Sequence, residues 1–147
     1  MNDFVKDSDH WLRKLSPREW IRAGLGELAR ANEAYARRDG RGGLAGAKRA
    51  AGMALNGALI AEPNAQWGRT YVEHVAAVAR DEDVPPAVRD ACRELLAQRP
   101  PGGALLSLHS KNSDQRVVDA ARTVLAHAYA IVVRYFPQDE PPVPDEE

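Results

Sequence analysis

LAGAKRAAGMALNGALIA, residues 44–61, is the stretch whose reading decides the fold. More than half of it is Ala or Gly, and its apolar residues recur at helical spacing. Leu44, Ala47, Ala51, Leu55, Ala58 and Leu59 fall on one face. The internal glycines each cost about 1 kcal/mol of helix propensity against Ala. Tertiary contact must offset that cost, and close approach of neighbouring helices is its simplest source. Side chains this small bury little alone, so the segment needs partners on both sides of it in the chain.

The preceding segment supplies one. Ser16-Pro17-Arg18-Glu19 is a helix start, with Ser16 as cap, Pro17 at the first helical position and Glu19 completing a capping box. The helix runs to about Arg38, with Trp20, Ile21, Gly24, Leu25, Leu28, Ala31 and Tyr35 on one face and Asn32 within it. Asp39-Gly40-Arg41-Gly42-Gly43 reads as its end and a turn. Beyond residue 61, Glu62-Pro63-Asn64 breaks the chain. A third helix is expected from Thr70 to Arg80, burying Tyr71, Val72, Val75, Val78 and Ala79. A fourth opens at Pro86 and runs to Gln98, burying Val88, Ala91, Cys92, Leu95 and Leu96. Residues 99–112 carry no assignment. Ser113 or Asp114 caps a fifth helix reaching Phe136, with a wide apolar face from Val117 to Tyr135.

The sequence therefore predicts an all-α, five-helix, up-and-down bundle in one domain over residues 16–137. An N-terminal arm, 1–15, would precede it, anchored by Phe4, Trp11 and Leu15. An acidic, proline-rich tail, 138–147, would follow as a disordered segment. That tail holds five acids and no base. Removing them from the net charge of −1 leaves a mildly basic +4 on residues 1–137. Such a body tolerates an anionic ligand but lacks the strongly basic footprint of a dedicated nucleic-acid binder. No apolar run approaches a membrane span. MNDFVKDSDHW lacks a basic region followed by an apolar one, so a secretory signal is not expected. With one cysteine, Cys92, no intramolecular disulfide framework or cysteine zinc site is possible. A cytoplasmic chain is the expectation, with no cofactor and no metal.

Four residues are candidates for ligand binding. Lys48 projects between Leu55 and Leu59, so it must reach water, pair or serve a ligand. Asn32 presents the same problem one helix earlier, and a contact between the two would satisfy both. His74 lies at the edge of the third helix's apolar set, where a partly buried structural role competes with a functional one. Lys111, with Arg116, stands near the start of the fifth helix, whose free N–H groups suit a phosphate. Arg18, Arg22, Arg37, Arg38 and Arg41 could form a basic surface, diluted by Glu19, Glu27, Glu33 and Asp39. Gly40-Arg-Gly-Gly43 has neither a preceding strand nor a Lys-Ser/Thr ending, so it is no P-loop.

The order of these segments carries a resemblance. SPREWIRAGLGELARANEAYARRD, AGAKRAAGMALNGALI, RTYVEHVAAVA, PPAVRDACRELLAQ and the long last helix resemble the HEPN family (higher eukaryotes and prokaryotes nucleotide-binding), in particular its small bacterial members, over residues 16–136. Family members often carry a glutamate and lysines along the second helix, where this chain has Ala51-Gly52-Met53-Ala54-Leu55-Asn56-Gly57. The resemblance implies a binding or partner protein associated with nucleotide or nucleic acid, or one working beside a nucleotidyltransferase.

It also implies a second reading. Ribonuclease members carry Arg, four to six residues, then His, and Arg122-Thr-Val-Leu-Ala-His127 matches that spacing. The types suit a metal-independent ribonuclease toxin: His127 as base toward a 2′-hydroxyl, Arg122 as cation against the phosphorane. Helical geometry opposes it. Residues five apart in a continuous helix differ by about 140° around the axis, so convergence needs a break or a second copy. A structural dimerisation module is the third reading. A homodimer is expected because the fifth helix's apolar face exceeds what a peripheral helix needs.

Overall fold

The computed structural model describes residues 11–97 and 111–137. The Phe4 anchor, the unassigned link before Lys111 and the tail 138–147 lie outside them. The described residues form five α-helices and no strand: α1 (Pro17–Ala36), α2 (Gly40–Ala61), α3 (Tyr71–Arg80), α4 (Pro86–Ala97) and α5 (Lys111–Tyr135). Short 3-10 turns span Trp11–Lys14 and Ala65–Trp67. None of these helices is long and apolar enough to cross a membrane.

Local chemistry sets the boundaries. The Ser16 hydroxyl accepts the Glu19 N–H, and the Glu19 carboxylate accepts the Ser16 N–H at 2.7 Å, completing the expected capping box. Thr70 and Glu73 repeat the motif on α3. The α1–α2 connection differs from the expected glycine turn. Arg38 takes a left-handed conformation, φ 67°, and the N–H of Asp39 reaches back to the Ala34 carbonyl at 2.8 Å. This is a Schellman ending with arginine at the usual glycine position. Asp39 then caps α2, its carboxylate accepting the Gly42 N–H at 2.8 Å. The glycines after it are thereby helical, and α2 begins at Gly40 rather than Leu44. At the other end of the chain, α5 begins at Lys111, placing Ser113 and Asp114 inside its first turn rather than at its cap.

α2 is the hub, packed against α1, α3 and α5. Ala47, Ala50, Ala51, Ala54 and Leu55 have no exposed surface. The hairpin with α1 is antiparallel and close. A Cβ on Gly24 would stand 2.8 Å from the Ala50 carbonyl oxygen, and one on Gly57 would stand 2.7 Å from that of Pro17. A third close approach, at Gly52, receives the Tyr71 side chain from α3. Missing side chains thus let backbones approach, and the propensity cost of the glycines is met by packing.

Several face assignments need correction. Leu25, Val72, Leu96 and Tyr135 are exposed. Asn32 is exposed too, and no hydrogen bond joins it to half-buried Lys48. Leu25 and Asn32 are seven residues apart and share the edge of α1 that turns away from α2. α5 is not peripheral. Val117, Val118, Ala121, Val124, Leu125, Ala128, Ile131 and Val132 are all buried within the single chain, because α5 contacts α1, α2 and α4 together. The breadth of its apolar face therefore no longer calls for a second copy.

Candidate functional site

A groove of about 460 Å³ runs between α1 and α5. Ile21 and Leu25 from α1 meet Leu125, Ala126 and Tyr129 from α5 to form its apolar floor, exposed Arg22 and Arg122 flank it, and Arg18 lines it as a buried residue. Leu25 and Tyr129 remain about half exposed, 53% and 46%, so the floor is open to a ligand. The Arg18 guanidinium lies 5.7 Å from the Tyr129 ring centroid, within cation–π range. Its Nη2 also donates to the Phe136 carbonyl at 2.9 Å, tying the end of α5 to the start of α1. Arg122 shares its charge with Asp119 at 3.1 Å, an exposed pair one turn apart. An apolar bed flanked by the guanidinium groups of Arg22 and Arg122 suits a ligand with an apolar face and an acidic edge.

The basic surface expected on α1 is thus divided. Arg18 and Arg22 join Arg122 at the groove, while Arg37, Arg38 and Arg41 stand at the α1–α2 turn. Tyr129 and Leu25 were not legible as site residues. The signal for Tyr129 was its spacing: Arg122, Tyr129 and Phe136 are seven apart and share one edge of α5.

Arg122 and His127 are not brought together within the chain. α5 is unbroken between them, and His127 faces the other way, half buried near Arg134 and Glu62. Burial, reinforced by the Arg134 charge and opposed by Glu62, holds its imidazole below the ordinary histidine range. Arg134 and the Tyr135 hydroxyl both bind Glu62, at 2.9 and 2.8 Å. Arg116 pairs with Glu94 of α4 at 3.6 Å instead of serving an anion at the helix start, and the Lys111 side chain lies outside the described residues.

His74 is buried completely. Its Nδ1 donates to the Trp67 carbonyl at 2.8 Å, and Nε2 stands 2.6 Å from Oδ1 of Asn56. A carbonyl only accepts, so Nδ1 carries the proton. Burial lowers the pKa of the ring, and a neutral ring pairs at Nε2 with the Asn56 amide turned so that its NH2 group, rather than Oδ1, faces it. Trp11 stacks over the ring at 6.1 Å between centroids, and Arg69 stands 5.5 Å from the Trp11 centroid. The Trp20 indole N–H donates to the Leu12 carbonyl at 2.7 Å. The described end of the arm is therefore docked. This cluster clamps α2, α3 and the turn at Trp11–Lys14, a structural role. Asn56 lies off the face of α2 that carries Leu44, Leu55 and Leu59, and its partner explains its burial at 1% exposure.

Among the described residues no group of three or more His, Cys, Asp or Glu could hold a metal ion. No family model, no curated protein and no solved structure matches this chain.

Proposed function

We propose that this chain is a non-catalytic, HEPN-like helical binding protein that docks a partner protein through the α1–α5 groove. The observation that carries this reading is the groove's construction, a half-exposed apolar floor of Leu25 and Tyr129 flanked by Arg22 and Arg122. Its predominantly apolar lining fits the face of an acidic amphipathic segment better than a phosphate backbone, which calls for a denser row of cations. The family resemblance implies a partner of the nucleotidyltransferase kind, and this reading requires that partner to present such a segment. RNA or nucleotide binding is a weaker fit, and the ribonuclease reading needs a second copy to bring a histidine to Arg122.

The test uses a labelled acidic peptide with Leu at i, i+3, i+4 and i+7, and a short single-stranded RNA. The peptide should bind, and Leu25→Asp or Arg122→Glu should weaken it about tenfold, roughly 1.4 kcal/mol. Neither substitution removes a buried contact, so thermal melting should hold. RNA should remain intact. Metal-independent RNA cleavage that disappears in His127→Ala, without peptide binding, would overturn the reading in favour of the ribonuclease.

A further inference from the structure

His74 of α3 sits where four pieces of the chain meet. Asn56 comes from α2, the Trp67 carbonyl from the turn before α3, and the Trp11 ring from the turn that precedes α1. The imidazole has no exposed surface, whereas the Trp11 residue stacked on it, 24° from parallel, is only partly buried. The Trp11–Lys14 turn is therefore a cover with water on its far side. Trp20 of α1 fastens the same turn, its indole N–H donating to the Leu12 carbonyl at 2.7 Å.

Hydrogen bonding accommodates either protonation state of the ring. With Nδ1–H on the Trp67 carbonyl, a neutral Nε2 meets the Asn56 NH2 group, and a protonated Nε2 donates to Oδ1; the amide need only turn over. The charge itself is not accommodated. From α2 the ring meets an uncharged amide, and from the 65–67 turn a carbonyl and the tilted Trp67 ring at 6.5 Å. Glu73, next along α3, is exposed, and its Oε1 accepts from the Arg69 and Thr70 N–H groups. Its charge favours an imidazolium through space, but burial outweighs it. The cover carries cations: Arg13 and Lys14 lie on the turn, and Arg69 stands 5.5 Å from the Trp11 centroid. A charged ring under the closed turn is thus desolvated, with no carboxylate bonded to it among the described residues and cations on the cover. Lifting the turn readmits water while α2 and α3 stay packed.

We infer that the Trp11–Lys14 turn is a proton-operated latch over His74, closed on the neutral ring and released when the ring is charged. Release uncovers the imidazole and parts the Trp20 N–H from Leu12. Burial lowers the pKa of the ring in the closed form, and an uncovered histidine returns toward about 6.5. Below that value the open form binds more protons. The open-to-closed ratio then rises up to about tenfold per pH unit as pH falls, until the lower pKa of the closed form is reached. The latch lies apart from the α1–α5 groove and stands whether or not that groove binds a partner.

NMR of the full chain between about pH 7.5 and 5 tests it. The indole N–H signals of Trp11 and Trp20 should shift along the titration curve of the His74 ring. Backbone amides of Ala54 and Val124, both fully buried, should keep their positions. His74→Phe should hold the indole signals flat with pH, and a transition that persists there overturns the inference. Trp11→Ala changes only a partly exposed side chain and covers the case in which His74→Phe does not fold. It should raise the His74 pKa toward the ordinary range, and an unchanged pKa overturns the inference. So do indole signals that stay in place across the range, whether the amide turns over inside a closed site or the ring never charges. Indole signals that move only together with Ala54 and Val124 report global unfolding and overturn it as well.

Discussion

The imidazole of His74 is fully buried yet satisfied at both nitrogens, by the Trp67 carbonyl and by Asn56. Burial lowers its pKa, so the folded protein takes up this proton at lower pH than the unfolded chain, whose histidine titrates near about 6.5. Below that value the unfolded state binds more protons, and folding stability falls with pH toward the depressed folded value. Above it the contribution is complete. His127, also lowered, acts in the same direction. Urea midpoints measured from about pH 7.5 down to 5 should therefore decline. A flat profile, or a His74 resonance titrating in the ordinary range, would contradict the neutral assignment. The sequence marked His74 but hid its partner: Asn56 lies 18 positions earlier, on another helix, and periodicity places it without saying what it meets.

The α1–α2 hairpin carries the close packing that the Ala/Gly composition announced. Two glycines of α1 separate propensity from packing. A Cβ on Gly24 would meet the Ala50 carbonyl at 2.8 Å and Leu125 at 3.0 Å, whereas one on Gly26 meets nothing nearer than the Arg30 guanidinium at 3.8 Å. Gly26→Ala should stabilise by about 0.5–1 kcal/mol through propensity and the unfolded state. Gly24→Ala should destabilise by about 1–2 kcal/mol, since forced separation of two backbones outweighs the same propensity gain. Thermal or urea denaturation of the two variants decides it; equal effects would sink the close-packing account. α5 teaches the opposite lesson. The sequence showed a broad apolar face but not how many neighbours share it.

For the whole molecule, that sharing changes the expected assembly. With the α5 face buried inside one chain and like charges around the groove, light scattering at micromolar concentration should return the mass of a single chain, 16.1 kDa. A doubled mass would restore the homodimer reading. The sequence by itself determined the helical class, the capping box at Ser16, the small-residue second helix as organiser, and the 140° offset that separates Arg122 from His127. All of these are local, set by spacing and hydrogen-bonding chemistry within a few residues. Only the tertiary structure decided that α5 is central, that Asn56 and His74 satisfy each other, and that Arg18, Arg22, Leu25, Arg122 and Tyr129 surround one groove. Those facts depend on how helices 18 to about a hundred residues apart in sequence are rotated and apposed. No single helix encodes that: the stripe it buries is fixed by its neighbours, and the edge left over becomes the site.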